Sequence, residues 1–538
     1  MKTIIHGKWR KPGYWGFACM YLCLALNAGA KVAPASLFTD HMVLQHGKPI
    51  YVWGTASPGE QVHVSLGALA SGGVSADSEG NWLVELSAQP VVASPLTLRI
   101  RGENEILVED VLIGEVWLGS GQSNMGVTAG GTNDWESVQK EIAAGDFSQV
   151  RVFQMAWTAS DAPRRDLGGA RWRASDNNSL RNFSAAMVYF ARALQRARPG
   201  VPIGLIQSSV GGTNAHAWLP NDAFENGKGA AYIRRWYREQ LDKLPVENKL
   251  YAEKLEQHRE AVEKAKQEKK QPPRAPEPPM GPESKRRPAC LYNGMIAPLQ
   301  PYGIRGVAWY QGENNSSLQW VGDYAALMAD LINGWCADWA RVARRDQPDM
   351  LPFLIVQLPN FKNGNVWPLL REQQERIVQS VPGTALVCII DSGDPKDIHP
   401  RNKTPVGERL ALAARALVYG EGNLVWSGPV FRDAACGDGK AVVSFGHIGS
   451  GLMTTDGGPP RGFEIAGDDR RFFPAAAKIS GQSVILESSH VPGPVAVRYA
   501  WENNPENLNL YNKENLPAHP FRTDDWPWPA GGKSNCGR

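Results

Sequence analysis

Polar or glycine-rich loops follow four apolar segments, and they contain the residue types that acyl transfer needs. In chain order the loops are Gly119 to Met125 (Gly-Ser-Gly-Gln-Ser-Asn-Met), Val210 to Asn214 (Val-Gly-Gly-Thr-Asn), Trp309 to Asn314 (Trp-Tyr-Gln-Gly-Glu-Asn) and Asp391 to Pro400 (Asp-Ser-Gly-Asp-Pro-Lys-Asp-Ile-His-Pro). Together they offer a hydroxyl, an imidazole, carboxylates and amide donors, the groups that nucleophilic catalysis uses.

Ser123 is the candidate nucleophile and His399 the candidate general base. Ser123 lies in a tight glycine turn after an apolar strand, where its hydroxyl is exposed. Most lone histidines are structural, but His399 lies beside carboxylates in an acid-rich loop at a strand end, a location that favours a general base. The Gly-x-Ser-x-Gly elbow is absent because Met125 occupies the last glycine position. Gly and Ser are also common in ordinary turns, so this loop alone does not establish a nucleophile.

The predicted oxyanion donors are Ser123, Gly212 and Gln311. The pair Gly211 and Gly212 lets backbone amides come close to a substrate, although a simple turn explains it equally well. Gln311 places an amide at a strand end, and Glu313 beside it is expected to fix the loop by hydrogen bonds. The sequence contains no His-Glu-x-x-His, His-x-His, Cys-x-x-Cys, Walker or dinucleotide pattern, so no metal or other cofactor is predicted.

Alternating strands and helices are predicted to position these loops. The strands are Val111 to Leu118, Val150 to Phe153, Ile203 to Gln207, Ile304 to Tyr310, Phe353 to Gln357 and Ala385 to Ile390, and the helices include Ser184 to Arg198, Tyr324 to Ala340 and Pro405 to Tyr419. This order predicts an α/β fold with a mostly parallel sheet covered on both faces. Ligands of such sheets bind beyond the carboxyl ends of the strands, where the four loops lie.

The regions on either side of the α/β domain have a different hydrophobic pattern. Residues 31–110 alternate in short segments and predict an N-terminal β-sandwich-like domain, residues 111–420 form the α/β domain, and residues 421–538 a second β-rich region. Residues 246–288 are an insert, with a charged helix over Val246 to Lys270 and a proline-rich stretch after it. Such a composition is typical of a solvated surface that carries no chemistry.

Composition and the first thirty residues predict export. The 538 residues carry a formal charge of +3, but four basic residues precede residue 30, and the remaining chain is nearly neutral with 53 basic and 54 acidic residues. Nucleic-acid and membrane partners therefore have no electrostatic support. A basic start, the apolar run Tyr14 to Leu26 and Ala28-Gly29-Ala30 are typical of a signal peptide, residues 1–30, of a secreted or periplasmic protein. Five cysteines remain after it, enough for at most two disulfides of unspecified pairing.

Five sequence blocks resemble the sialate O-acetylesterase family of SGNH hydrolases, and the resemblance as a whole runs from about Ser36 to Asp524. The blocks are Glu115 to Met125, Leu291 to Leu299, Trp309 to Asn315, Asp397 to Pro400 with Lys403, and Pro520 to Asp524. The resemblance implies a flavodoxin-like three-layer SGNH domain with accessory β-sandwich-like regions, no cofactor, and removal of acetyl groups from sugars. It also implies that Ser123 is the nucleophile and His399 the base, and that Gly212 and Gln311 line the oxyanion hole.

One departure concerns the group that orients His399. Many SGNH enzymes have an aspartate three residues before the histidine, and Lys396 occupies that position here. Asp397 is the preferred substitute, and Asp394 or a backbone carbonyl are the alternatives.

The expected partner is an acetylated carbohydrate, and the oligomeric state is not predicted. Residues near the motifs are predicted to bind it: Gln122, Asn124, Trp309, Glu313 and Arg401. For the carboxylate of sialic acid, Arg401 and Lys403 are candidates. For a neutral plant polysaccharide such as xylan or xyloglucan, exposed Trp218, Trp309 and Trp320 would serve. An inactive carbohydrate-binding protein is disfavoured because Ser123 and His399 are both present, and a lipase or thioesterase because the loops are polar.

Overall fold

The computed structural model describes residues 31–527 except 349, 363 and 365. The expected signal peptide and Cys536 therefore lie outside the described residues. The first strands are β1 Ala33–Pro34, β2 Val43–Gln45, β3 Ile50–Thr55, β4 Gln61–Leu66, β5 Ala70–Ser75, β6 Asn81–Leu86, β7 Val92–Arg101 and β8 Glu105–Gly121. Further strands are β9 Val150–Gln154, β10 Trp172–Ala174, β11 Ile203–Ser209, β12 Gly306–Tyr310, β13 Phe353–Val356 and β14 Thr384–Val387.

The last strands are β15 Val430–Gly437, β16 Lys440–Gly446, β17 Leu452–Thr454, β18 Phe463–Ala466, β19 Phe472–Pro474, β20 Ala476–Ser480, β21 Ser483–Glu487, β22 Ala496–Tyr499, β23 Leu510–Asn512 and β24 Phe521–Arg522. The helices are α1 Ser123–Gly126, α2 Trp135–Ala144, α3 Asn177–Arg181, α4 Ala185–Ala197, α5 Asn221–Asn226, α6 Ala231–Gln267, α7 Cys290–Met295, α8 Tyr324–Val342, α9 Trp367–Ser380 and α10 Thr404–Leu417.

The central sheet has the order β10-β9-β11-β8-β12-β13-β14. All neighbouring pairs from β9 to β14 are parallel, and only the edge strand β10 is antiparallel. Helix α4 packs against α10 and α8 against α9. A Cβ on Gly407 would lie 2.4 Å from the Tyr189 side chain, so glycine at this position permits the close contact of α4 with α10.

Strand β8 joins the N-terminal region to the central sheet. Its first half pairs with β7 in antiparallel fashion, and its second half lies between β11 and β12. The expected boundary at residue 110 therefore falls inside one continuous strand. The antiparallel sheet β1-β3-β6 contacts β4 and β5 through β6, and one hydrophobic cluster runs from Val32 to Ala414.

The insert helix begins earlier than predicted. It is α6, which starts at Ala231 instead of Val246 and passes through Pro245. Only Ile233 and Ala265 are buried along its 37 residues, which agrees with the expectation of a surface helix.

The C-terminal β-rich region has its own core and is fastened to the α/β part by a buried arginine. The Arg371 side chain on α9 donates to the carbonyls of Leu358 (2.9 Å), Pro359 (2.8 Å), Glu502 (2.7 Å) and Asn503 (2.9 Å). Burial lowers the pKa of Arg371 to about 9.

Among the described cysteines, Cys290, Cys388 and Cys436 are free thiols. No helix within residues 31–527 combines the length and apolar character needed to cross a membrane.

Candidate active site

The four predicted loops meet at the carboxyl edge of the central sheet. Ser123 begins α1 two residues after β8, and Gly211 and Gly212 follow β11. Gln311 follows β12, and His399 lies in the loop between β14 and α10. Because β11, β8 and β12 are adjacent and parallel, their loops open on the same side. A Cβ on Gly121 would lie 2.2 Å from the Tyr310 carbonyl oxygen, so only glycine brings the serine turn this close to β12.

Ser123 and His399 form a hydrogen-bonded pair across 276 residues of sequence. The distance from Ser123 Oγ to His399 Nε2 is 2.8 Å. The serine hydroxyl can donate to Nε2 when the imidazole is neutral, which is the arrangement a general base requires. Burial lowers the pKa of His399; Asp397 opposes the shift and Lys403 adds to it. The lowered pKa favours the neutral ring, the form that can accept the serine proton.

Asp397 is the carboxylate nearer to the histidine ring. Its Oδ1 lies 3.9 Å from His399 Nδ1, beyond hydrogen-bond distance, and accepts the backbone amide of His399 at 2.9 Å. Asp394 instead accepts the amides of Lys396 (2.8 Å) and Asp397 (3.2 Å), so it shapes the turn. The geometry favours Asp397 over Asp394 as the electrostatic partner of the ring.

The predicted oxyanion donors differ in whether their N–H groups already have hydrogen-bond acceptors in the protein. The Ser123 amide begins α1, and the first amides of a helix have no acceptor inside that helix. A Cβ on Gly211 would lie 3.4 Å from the Ser123 Cβ, so the glycine pair borders the serine. The Gln311 side chain is fully buried, and its Nε2 lies within 3.1 Å of three acceptors, which are Gln122 Oε1, Thr213 O and Asn315 Oδ1. Gln311 therefore joins the loops and presents no open donor in this arrangement.

A buried polar network lies behind the serine and histidine. Asn124 Nδ2 donates to Glu313 Oε1 at 2.6 Å and to the carbonyl of Ile398 at 2.9 Å, and Asn124 Oδ1 accepts a hydrogen bond from Lys403 Nζ. Burial raises the pKa of Glu313 and lowers the pKa of Lys403 to about 7. Asn124 follows Ser123 and Ile398 precedes His399, so this amide holds the two loops in register.

Several predicted substrate-binding residues point into the protein, which corrects the sequence-based assignment. Gln122, Asn124 and Glu313 are buried and hydrogen-bond other loops. Trp309 is completely buried between Trp218 and Trp335, with ring centroids 6.2 and 6.1 Å away. Central strands of a sheet covered on both faces bury both rows of side chains, so Trp309 belongs to the core.

The remaining candidates divide between surface and interior. Trp218 and Lys403 are completely buried and cannot face a sugar, whereas Trp320 is half-buried against Trp236 (4.8 Å between centroids). Arg401 is exposed and its Nε donates to the Gly131 carbonyl at 2.9 Å, so of the predicted substrate-binding set it alone faces solvent.

Two features near the site were not predicted from the sequence. The first is the role of Lys403 as a buried partner of Asn124, although the distance of four residues from His399 was a usable signal. The second is Arg286, whose Nη2 lies 3.4 Å from the position of a Cβ on Gly212. Arg286 comes from the insert that composition marks as solvated surface. Within the described chain, no group of three or more histidine, cysteine, aspartate or glutamate side chains has metal-binding geometry.

Comparison with known proteins gives the class. Residues 113–269 match the model of a carbohydrate esterase, the sialic acid-specific acetylesterase. A crystal structure of a carbohydrate acetylesterase from Xanthomonas citri superposes with a TM-score of 0.76 at 36% identity, covering 92% of this chain and all of that one. The mixed helix and strand fold is thus that of a carbohydrate acetylesterase.

The relatives give the family. Sialate O-acetylesterase of Rattus norvegicus is 30% identical over 542 residues, covering 92% of this chain and 95% of that protein. The enzyme of that name from Homo sapiens is 28% identical over 537 residues, with coverage of 92% and 93%. The chain belongs to the sialate O-acetylesterase family.

Proposed function

We propose that this protein removes O-acetyl groups from sugar hydroxyls through a serine acyl-enzyme. His399 Nε2 accepts the proton of Ser123 Oγ as that oxygen attacks the acetyl carbonyl carbon. The tetrahedral intermediate collapses, the C–O bond to the sugar breaks, and His399 returns the proton to the departing sugar oxygen. Water, deprotonated by His399, then attacks the carbonyl carbon of the acetyl-serine. The bond between that carbon and Ser123 Oγ breaks, His399 returns the proton to Oγ, and acetate leaves.

The observation that carries the proposal is the 2.8 Å contact between Ser123 Oγ and His399 Nε2 at the carboxyl edge of the sheet. A hydrogen bond between nucleophile and base is the geometric requirement for general-base activation. The lowered pKa of His399, caused first by burial, supports its role because the imidazole stays unprotonated at neutral pH.

Backbone amides are proposed to stabilise the oxyanion. The Ser123 amide at the start of α1 and the Gly212 amide in the adjoining loop are the donors. Gln311 would reach the oxyanion only by exchanging one of its three acceptors, so its main role is to fix the loops that carry these amides. Asp397 is proposed to orient His399 through the backbone amide and the field at Nδ1.

Two further proposals concern the layer arrangement of the α/β domain and the export of the protein. The parallel sheet, with α4 packed on α10 and α8 on α9, supports a three-layer flavodoxin-like arrangement. The basic and apolar start of the sequence supports export with cleavage after residue 30, which N-terminal sequencing of the secreted product would test by finding Lys31 first.

The deciding experiment measures acetate release by the full chain and by Ser123→Ala. The substrates are 9-O-acetylated sialic acid, acetylated xylan, acetylated xyloglucan and p-nitrophenyl acetate. We expect release from at least one sugar and a loss of about 10⁴-fold or more in the variant, as for other serine hydrolases that lose the nucleophile. Equal rates for both proteins would overturn the serine mechanism, and cleavage of only the nitrophenyl ester would overturn the sugar substrate.

A further inference from the structure

The loop that carries His399, Asp391 to Pro400, begins at a carboxylate with partners from two other parts of the chain. Asp391 accepts two hydrogen bonds from Arg409 of α10, at 2.7 Å to each oxygen, and one from the hydroxyl of Tyr511 at 3.0 Å. Burial opposes ionisation of Asp391, but the hydrogen bonds and charge of Arg409 outweigh it, so the pKa of this carboxyl is lowered. The start of the loop is therefore held by charge-assisted hydrogen bonds.

The middle of this loop rests on Asn360. The Gly393 amide donates to Asn360 Oδ1 at 2.9 Å, and Asn360 Nδ2 donates in turn to Asn504 Oδ1 at 2.9 Å. A Cβ on Gly393 would lie 2.1 Å from the Asn360 carbonyl oxygen, so only glycine lets the loop lie this close. One side-chain amide thus joins the loop to Asn504.

Both contacts lead to the C-terminal β-rich region. Tyr511 lies in β23, which pairs with β17, and Asn504 precedes that strand in the same region. The next residue after Tyr511, Asn512, is fully buried and donates to the carbonyls of Ser427 at 3.0 Å and His447 at 3.3 Å. Tyr511 is therefore carried by an ordered strand, and its hydroxyl reaches the loop from a fixed position.

The position of the imidazole depends on the backbone of this loop. Asp397 Oδ1 lies 3.9 Å from His399 Nδ1, and among the described residues no carboxylate accepts a hydrogen bond from that nitrogen. The loop is fixed instead near its two ends: Asn124 donates to the Ile398 carbonyl at 2.9 Å, and the C-terminal region holds the beginning. A shift of the loop by 1 Å would move Nε2 away from Ser123, and a misplacement of that size costs about 10²-fold in rate.

We propose that Tyr511 and Asn504 are positioning residues, through which the C-terminal β-rich region holds the loop of His399 in place. Tyr511 acts through Asp391, and Asn504 acts through Asn360, so neither is a catalytic residue. This inference rests on the proposed acetylesterase function. It adds that the C-terminal region sets the geometry of the proposed general base as well as contributing to the stability of the protein.

The test compares Tyr511→Phe with Thr454→Val in the full-length protein. Each substitution removes one hydroxyl and keeps the shape of the side chain, and both residues lie in the β17-β23 sheet. The Thr454 hydroxyl donates to the Gly458 carbonyl at 2.8 Å, inside the C-terminal region, so this control removes a hydrogen bond of the same sheet and no contact with the loop. Hydrolysis of p-nitrophenyl acetate gives kcat and KM, and urea unfolding gives the change in stability.

We expect Tyr511→Phe to lower kcat about tenfold, the effect of one hydrogen bond to a charged group, and to change KM by less than about twofold. The control should keep the wild-type kcat. Adding Asn504→Ala to Tyr511→Phe should deepen the loss, because both anchors of the loop are then removed. Asn504→Ala alone, measured in the same way, keeps the inference falsifiable if Tyr511→Phe does not fold.

The pKa of His399, followed by an NMR titration of its ring, is a readout that a loss of stability alone would not move. Burial lowers this pKa, and Asp397 and Lys403 are the charged groups that act on the ring. Both remain in Tyr511→Phe, so a loop that opens to solvent should raise the pKa of His399 toward the ordinary value of about 6.5. The amides of the loop should also exchange faster with deuterium in this variant than in the control.

Other outcomes would overturn the inference and separate it from the function on which it rests. If Tyr511→Phe matches Thr454→Val in kcat and in the pKa of His399, the C-terminal region does not position the base, and the esterase function stands. If kcat in both variants falls only in proportion to their loss of stability, Tyr511 has a structural role alone. If the wild type cleaves neither p-nitrophenyl acetate nor any acetylated sugar, the proposed function fails and this inference with it.

Discussion

Lys403 and Glu313 offer a direct test of the buried network behind Ser123 and His399, the proposed catalytic pair. Both side chains are buried, and the amide of Asn124 lies between them, donating to Glu313 Oε1 at 2.6 Å and accepting from Lys403 Nζ. The perturbation is a double-mutant cycle of Lys403→Met, Glu313→Gln and the double variant. Each substitution removes one charge and keeps a side chain of similar size.

The expected coupling follows from the separation of the charges. Two hydrogen bonds and the Asn124 amide group separate Lys403 Nζ from Glu313 Oε1 by about 7 Å. At that distance and an effective dielectric constant of 20, two opposite unit charges attract each other by about 2 kcal/mol. Removing one partner alone leaves the other buried charge uncompensated, so each single variant is expected to lose about 3 kcal/mol of stability. The double variant is then about 2 kcal/mol more stable than the sum of the single losses implies.

The assay is urea unfolding, followed by tryptophan fluorescence, at pH 6 and at pH 9. Because burial lowers the pKa of Lys403 to about 7, the ammonium is present at pH 6 and largely absent at pH 9. We therefore expect coupling at pH 6 that shrinks at pH 9. Additive single effects at pH 6, or coupling that is the same at both pH values, would refute an ionic link through Asn124.

Three other predictions test the site and its support. Activity, measured as kcat/KM, should fall only below the ordinary histidine pKa of about 6.5, because burial lowers the pKa of His399 and the ring must be protonated before activity is lost. Lys403→Met should move this acidic limb of the profile to higher pH, because the charge of Lys403 lowers the pKa of His399. An unmoved limb would contradict an electrostatic effect of Lys403 on His399. Asp397→Asn should reduce kcat more than Asp394→Asn, and wild-type kcat in both variants would favour orientation by a backbone carbonyl. Arg371→Met should destabilise the protein by about 3 kcal/mol in urea, since four carbonyls, two of them in buried and two in partly buried contacts, lose a charged donor. A loss below about 1 kcal/mol would contradict that account.

Residue types at strand ends were enough to single out Ser123 and His399, which the structure brings into hydrogen-bond contact. Apolar runs predicted strands that end at Leu118 and Ile390, close to the observed ends at Gly121 and Val387, and the loops after them contain Ser123 and His399. The parallel order of the sheet then brings these loops to one edge, because each connection returns the chain to the opposite edge before the next strand. Periodicity thus predicted that these two loops meet at one edge of the sheet, and only the tertiary structure supplies the 2.8 Å contact between Ser123 and His399.

The direction of side chains next to a motif was not predictable in this way. Ser123 and Asn124 are consecutive, but successive residues of a helix point about 100° apart, so one faces the opening and the other the interior. A polar residue in a motif therefore suggests a ligand contact and a buried brace equally well. Asn124 satisfies the second description, since its partners Glu313 and Lys403 come from two other loops that no local pattern connects.

The insert shows why composition alone misjudges a segment. Its charge and proline content predict a solvated surface, and most of α6 is indeed exposed. The position of the insert in the chain indicates a location near the site. The insert interrupts the connection between β11 and β12, and that connection leaves the sheet at the carboxyl edge, where the candidate site lies. An insertion in such a connection has to begin and end near its point of departure, and the bond from the Ala289 amide to the His216 carbonyl is where this insert closes. Arg286 lies three residues before that closure, so topology places it beside Gly212 although nothing in the local sequence does.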